Sequence, residues 1–333
     1  MEKRREFLKQ MAAMTAGMML PLPAFGGGGG DKWGQVLPLR RLGQTGEKVT
    51  MLGLGGFHVG WTTEKDAQEV IESAMAGGIR FYDTAESYGK GTSESRYGKY
   101  LVPEYRDDIF LMTKTAARDG ATAQKHLDES LGRLKCDYLD LWQVHSLKTP
   151  EDVDDRVRMQ VLEVFEKAKA EGKVRHCGFT GHQNPFAHRR MLEKTAGNDL
   201  FGCLQMPVNV IDSHFHSFIE NVLPDALEQK MGVLAMKSLS DGRFFGKKMM
   251  GDRLIWESDA PLVPGYVSIR EALNFVWSLP VSVLITGAEN KSLLEEKLTL
   301  AKEFTALSEE ERLALVEKVY EQAGNQVEYY KKL

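Results

Sequence analysis

The 333-residue chain is short of several things that would each fix a class. It has three cysteines, Cys136, Cys177 and Cys203, too few and too far apart for a disulfide framework or a Cys-x-x-Cys metal site. Positive charge is not in surplus: 43 Lys and Arg stand against 47 Asp and Glu, a formal net charge of -4. No basic cluster outweighs that balance, which argues against a nucleic-acid partner held by phosphate neutralisation. Beyond the N-terminal region no run reaches the ~18 apolar residues of a membrane span. No Gly-x-Gly-x-x-Gly stands between a strand pattern and a helix pattern, so a Rossmann dinucleotide site is unsupported. No linker rich in Pro or Ser divides the chain. What remains is an ordinary globular composition with enough length to bury a sizeable core.

The N-terminus carries its own message. Arg4-Arg5-Glu6-Phe7-Leu8-Lys9 is followed by an apolar run from Met11 to Leu20, then Pro21, Pro23 and Ala24, then Gly26 to Gly30. A charged start, an apolar middle and a small-residue end make a secretory signal. The arginine pair followed by x-Phe-Leu-Lys resembles the twin-arginine export signal, with Lys3 where Ser or Thr is usual. A general secretory signal or an amphipathic helix is the alternative. The expectation is an exported, periplasmic protein carried by the twin-arginine machinery and cut near Ala24. Residues 1–30 are read as signal and flexible leader, and 31–333 as one domain. The five glycines have no flanking strand and helix, so they are not a phosphate loop.

From Leu37 onward the pattern alternates. Leu37–Leu42 and Lys48–Leu52 flank Gly43-Gln-Thr-Gly46, a hairpin signal. Strands are expected at Met51–Gly55, Arg80–Thr84, Ile109–Lys114, Tyr138–His145, Val174–Thr180, Cys203–Val208, Val233–Lys237 and Val281–Thr286. Helical spacing fills the gaps, as with Leu127, Leu131 and Leu134. Ser308 opens a last helix to Gln322 with a capping-box sequence. Eight strand–helix units over about 280 residues predict a (β/α)8 TIM barrel, an α/β fold of ~250 residues, with an N-terminal β-hairpin and an extra C-terminal helix. A doubly wound open sheet is the rival.

In a barrel, chemistry gathers at the C-terminal strand ends. Those ends present Asp83, Lys114 and His145, with Tyr88 in the loop after Asp83. Strand alternation sets Phe81 with Asp83, then Phe110 and Met112 with Lys114, then Leu139, Leu141 and Gln143 with His145. The combination suits proton transfer to a carbonyl. A phenol of pKa ~10 is expected to be lowered by a neighbouring ammonium. Asp83 would keep that ammonium charged, and His145 would donate to the carbonyl oxygen. No side chain delivers hydride, so a nicotinamide cofactor is implied.

Gly78-Ile-Arg-Phe-Tyr-Asp-Thr-Ala-Glu-Ser-Tyr-Gly89 with Ser93-Glu94, Phe110-Leu-Met-Thr-Lys114, and Tyr138-Leu-Asp-Leu-Trp-Gln-Val-His145 together resemble the aldo-keto reductase superfamily. The likeness covers nearly everything after residue 37. It implies reversible carbonyl–alcohol redox with NADP(H), NAD(H) being possible, and puts the family's tetrad on Asp83, Tyr88, Lys114 and His145. A cofactor-binding accessory module with little turnover is the alternative the same family offers. For the carboxamide, the resemblance points to Thr180 and Gln205, with Gly181 where an asparagine is usual and His182 as a substitute or a plain loop residue. On the seventh strand Met236 or Lys237 replaces a stacking aromatic, a thioether being able to pack on a ring face. Ser238, Ser240 and Arg243 are the phosphate donors so implied. Around the 2′-phosphate, Gly287 and Leu293 stand where Lys and Arg are common, leaving Asn290, Lys291 and Lys297. Arginine's bidentate grip is lost there, so weak discrimination between the two cofactors is expected. Phe57, His58, Trp61 and Trp142, with His145, are expected to wall the substrate pocket. His214 and His216 lack further ligands at metal spacing, and no metal is expected.

Overall fold

The computed structural model describes residues 29–250, 253–324 and 326–332. The expected export signal and most of its glycine leader lie outside the described residues. Eight parallel strands close into a barrel: β1 (Leu52–Gly55), β2 (Phe81–Asp83), β3 (Phe110–Thr115), β4 (Leu139–Val144), β5 (Val174–Thr180), β6 (Phe201–Pro207), β7 (Gly232–Met236) and β8 (Val283–Thr286). β8 returns to β1 through the pairs Leu284↔Leu52, Ile285↔Gly53 and Thr286↔Leu54. A closed sheet has no edge, and the chain between strands is largely helical, as expected for a (β/α)8 barrel. The open-sheet alternative is excluded by that closure.

The lumen is packed. Phe81, Phe110, Met112, Leu141, Cys203, Leu234, Val283 and Ile285 form one buried cluster inside the strands, and the Phe81 and Phe110 rings stack at 5.1 Å. The expected hairpin pairs Leu39–Arg41 with Lys48–Thr50 and sends Leu42 and Val49 into the same cluster, plugging the base. Gly43 is required at its turn: φ is +55°, and a Cβ there would collide with the Lys230 carbonyl and the Met231–Gly232 backbone. A larger cluster packs the outer strand faces against the helices. Leu139, at the base of β4, packs with this larger cluster rather than with the lumen residues. Trp142 does so as well, stacked on Phe165 at 3.9 Å and fully buried. It is therefore core and not a pocket wall, because its neighbours Leu141 and Gln143 take the inward side of the strand.

The C-terminal helix runs Glu309–Lys318 behind a complete Ser308/Glu311 capping box. Two small features were not expected. Gly30–Asp31 pairs with Gly34–Gln35, so Gly30 belongs to the fold and not to the leader. After β7, Lys247–Met250 and Arg253–Glu257 form an antiparallel hairpin, whose residues reach the barrel mouth.

Candidate active site

Asp83 ends β2 in register with Met112 of β3, and Lys114 lies near the end of β3, two residues past Met112 on the same side of the strand. Lys114 is 1% exposed. Its ammonium donates to the Asp83 carboxylate, to the Thr84 carbonyl at 2.8 Å and to the Tyr88 hydroxyl at 3.2 Å. Tyr88 is held by a tight loop in which Tyr88 N donates to Ala85 O at 3.1 Å. The loop lies against the short helix Gly56–Trp61, where neither Gly60 nor Gly89 has room for a Cβ. His145 follows β4 rather than ending it, its backbone N–H donating to Thr115 O at 2.8 Å. Its ring meets Tyr88 edge-on at 5.8 Å, and Phe57 also meets Tyr88 edge-on at 5.5 Å. The four expected residues thus converge on one point.

The electrostatics differ in part from expectation. Burial pulls the Lys114 pKa down, but Asp83 and Tyr88 outweigh it and hold the group above the usual lysine value, fully charged. Tyr88, expected to be lowered, is raised: burial of its phenolate and the nearby Asp83 charge exceed the help from Lys114. The hydroxyl is therefore a protonated donor at neutral pH. Burial, then Lys114, His182 and Arg156, push His145 well below 6.5, so its imidazole is neutral. A neutral imidazole can donate from one nitrogen without carrying charge.

The tetrad lies in a cleft of about 750 Å³ at the strand C-termini. Phe57 and Trp61 flank it, 46% and 62% exposed. Toward β5–β7 it meets Thr180, Gln205, His182, Met236 and Ser238. Gln205 lies beside Asp83 and favours its carboxylate form, while Gln205 Oε1 and Ser238 Oγ are buried without a protein partner among the described residues. Such orphaned polar atoms want a ligand amide or water. Farther along, several lysines border the same space, among them Lys237, Lys248 and Lys297. Burial brings Lys297 down to about 8, while its Nζ donates to Gly287 O at 2.6 Å. Burial and then Lys248 bring His58 down to about 4. Among the described residues, the carboxylate bonded to one of these three is Asp241, 3.2 Å from Lys248. An excess of cations in a cleft is suited to a polyanion.

Several expected contributors stand elsewhere. Asn290 caps the helix Lys291–Lys302, accepting from Leu293 N. Lys291 pairs with Glu295 at 3.6 Å on the outer surface. Arg243 does not line the cleft: it donates to Gln326 O and stacks on Tyr329 at 4.0 Å. Ser240 donates to Val327 O at 2.6 Å. Gly287 lines the cleft, but a Cβ there would strike the His58 imidazole, so His58 occupies the space a longer side chain would need. The sequence alone does not single out Lys248, Asp241 or Tyr329. The Lys247-Lys248 pair after Gly246 was the available signal for the first; nothing local marks the others. Among the described residues no group of three or more His, Cys, Asp or Glu could hold a metal ion, and no helix is long and apolar enough to cross a membrane.

Comparison with known proteins agrees with this geometry. Residues 51–320 match the model of the Aldo/keto reductase family. An aldo-keto reductase of Bacillus subtilis is 32% identical over 235 residues, 66% of this chain and 66% of its own length. L-galactose dehydrogenase of Arabidopsis thaliana is 35% identical over 159 residues, 44% of this chain and 49% of its own. The chain therefore spans about two thirds and about half of those relatives. Among solved structures, an aldo-keto reductase from Klebsiella pneumoniae in complex with NADPH superposes with a TM-score of 0.66 at 23% identity, covering 86% of this chain and 95% of that one. With the barrel closed and the family match running through all eight of its strands, the chain belongs to the aldo/keto reductase family and is an oxidoreductase.

Proposed function

We propose that this protein interconverts a carbonyl compound (aldehyde, ketone or sugar) and its alcohol, using NADP(H) or NAD(H), with Tyr88 as general acid and base. The observation that carries the reading is the Tyr88 hydroxyl, 3.2 Å from a buried, ion-paired ammonium on the cleft floor. A nicotinamide group supplies or accepts the hydride when bound. The protein's share is then protonic. In reduction, Tyr88 gives its hydroxyl proton to the carbonyl oxygen, and Lys114 stabilises the phenolate left behind. Neutral His145 donates to the same oxygen and holds charge developing there. Phe57 and Trp61 cover the apolar side of the substrate and exclude water.

The chain's residues fit the cofactor. Gln205 Oε1 is free to accept from a carboxamide N–H, and Ser238 Oγ to accept from or donate to the same group, with Thr180 beside them. Lys237, Lys248 and Lys297 suit its phosphates. With Gly287 and Leu293 offering no charge, and Glu289 and Glu296 also on the cleft, the preference for NADP(H) over NAD(H) falls below ~100-fold, about 2.7 kcal/mol. A panel of aldehydes, ketones and sugars assayed with each reduced cofactor tests the reading. Sugars are included because L-galactose dehydrogenase is a relative. Binding without turnover of any substrate would overturn it.

The same proposal includes export. The Arg4-Arg5 signal supports passage as a folded protein, which suits a chain that takes up cofactor before crossing, and so a periplasmic location with cofactor retained. Fractionation of cells making the full-length chain, followed by nucleotide analysis of the periplasmic protein, tests both parts.

A further inference from the structure

The last residues of a domain fray unless something ties them down. Residues 326–332 are tied to three of the loops that build the mouth. Lys332 N donates to Gln183 O, after β5, at 2.8 Å. After β6, Asn209 Nδ2 donates to the Tyr330 hydroxyl at 3.1 Å, and Lys331 donates to Asp212 Oδ1 at 2.6 Å and to Phe215 O at 2.7 Å. After β7, Ser240 and Arg243 donate to the Val327 and Gln326 carbonyls, and the Tyr329 hydroxyl donates to Asp241 Oδ2 at 2.6 Å.

The two ends of this attachment differ in kind. Its root is a buried ionic cluster: Lys331 with Asp212 and Glu328, side chains 0% exposed, with Asp212 also accepting from Ser217 Oγ and the Phe218 and Ile219 backbone. Its other edge is Tyr329, which lines the cleft and touches the loop after β7. That loop holds Lys237, Ser240 and Asp241 at φ of 57°, 49° and 57°. Left-handed backbone at side-chain-bearing residues is costly and persists only where the surroundings over-determine it. The bonds from Ser240, Asp241 and Arg243 to residues 326–329 supply that constraint, and Lys237, one of the cleft's cations, sits 6.0 and 5.5 Å from the Tyr329 and Tyr330 rings.

We propose that residues 326–332 are part of the cofactor site: Tyr329 fixes the strained loop that carries Lys237, and Lys331, through the buried cluster, fixes Tyr329. Both are positioning residues, and Arg243 serves the site by holding the segment rather than a phosphate. The inference rests on the function proposed above and adds to it what governs cofactor release. A loop already in its bound shape loses less entropy on binding; a released loop does not hold that shape and lets the dinucleotide go sooner.

The test is stopped-flow fluorescence of NADPH and NADH dissociation from the full chain, with amide hydrogen exchange over residues 237–242. Tyr329→Phe, which removes one hydroxyl, speeds release about tenfold, in line with a lost hydrogen bond to a charged acceptor. It also raises exchange in that loop and the Michaelis constant for cofactor. Lys331→Met has a larger effect, and Tyr320→Phe, an exposed change nearby, has none. Unaltered release and exchange in Tyr329→Phe would overturn the inference even if Lys331→Met fails to fold. A parent chain that binds neither nucleotide would overturn the proposed function along with it, a result told apart by the first titration.

Discussion

Lys114→Met isolates the central interaction. The ammonium lies 3.2 Å from the Tyr88 oxygen. At an effective dielectric of ~20 a unit charge at that distance stabilises the phenolate by about 5 kcal/mol, which corresponds to about 4 pK units. Tyr88 is already raised by burial, so losing the cation moves it further up. Alcohol oxidation needs phenolate, and its acidic limb should move upward by roughly 3–4 units, with kcat near neutral pH falling about 10³–10⁴-fold. The substitution also strands Asp83, a buried carboxylate, at a cost of about 3–5 kcal/mol in stability. Asp83→Asn combined with Lys114→Met removes that charge and should recover the melting temperature without recovering activity. Steady-state pH profiles, thermal unfolding and cofactor titration of both variants make the assay. An acidic limb that stays in place in Lys114→Met would falsify the assignment of Lys114 as the group that tunes Tyr88.

Tyr88→Phe keeps the ring against Phe57 and removes the proton; turnover should fall about 10²–10⁴-fold while cofactor affinity, read by fluorescence titration, barely changes. Lys297, brought down to about 8, is charged below that pH and neutral above it. Cofactor dissociation constants should therefore be flat below pH 8 and rise toward tenfold per unit above it, and Lys297→Met should abolish the slope. Gly287→Lys cannot add a phosphate-binding cation alone, since its Cβ meets His58; it should weaken cofactor binding. Paired with His58→Ala, it should shift preference toward NADP(H) by about tenfold, about 1.4 kcal/mol; an equal shift in the single variant would refute the steric account.

The barrel was legible because its strands are short apolar runs separated by helical spacing, and strand ends moved by only one or two residues. Asp83, Lys114 and His145 were legible because strand alternation and position at a strand's end are local properties. The unread parts depend on contacts between distant stretches. Nothing near Gly287 announces that His58 fills its side-chain space, and nothing near Arg243 announces that Gln326 and Tyr329 will engage it. The direction of the Tyr88 shift was misjudged for a related reason. A neighbouring lysine can be inferred from a motif, whereas the depth of burial that outweighs it emerges only when the loop is laid against Gly60.

The plugged base gives the barrel a sidedness that reaches both ends of the described residues. Asp31 is gripped by the Arg80 guanidinium at 2.7 and 2.9 Å, just ahead of β2, on the face sealed by Leu42 and Val49. Asp31 thus fixes its end of the described chain to the floor, opposite the doorway, and an affinity handle joined at residue 29 leaves the chemistry undisturbed. A handle appended after Leu333 pulls instead on a strip of chain draped across the entrance.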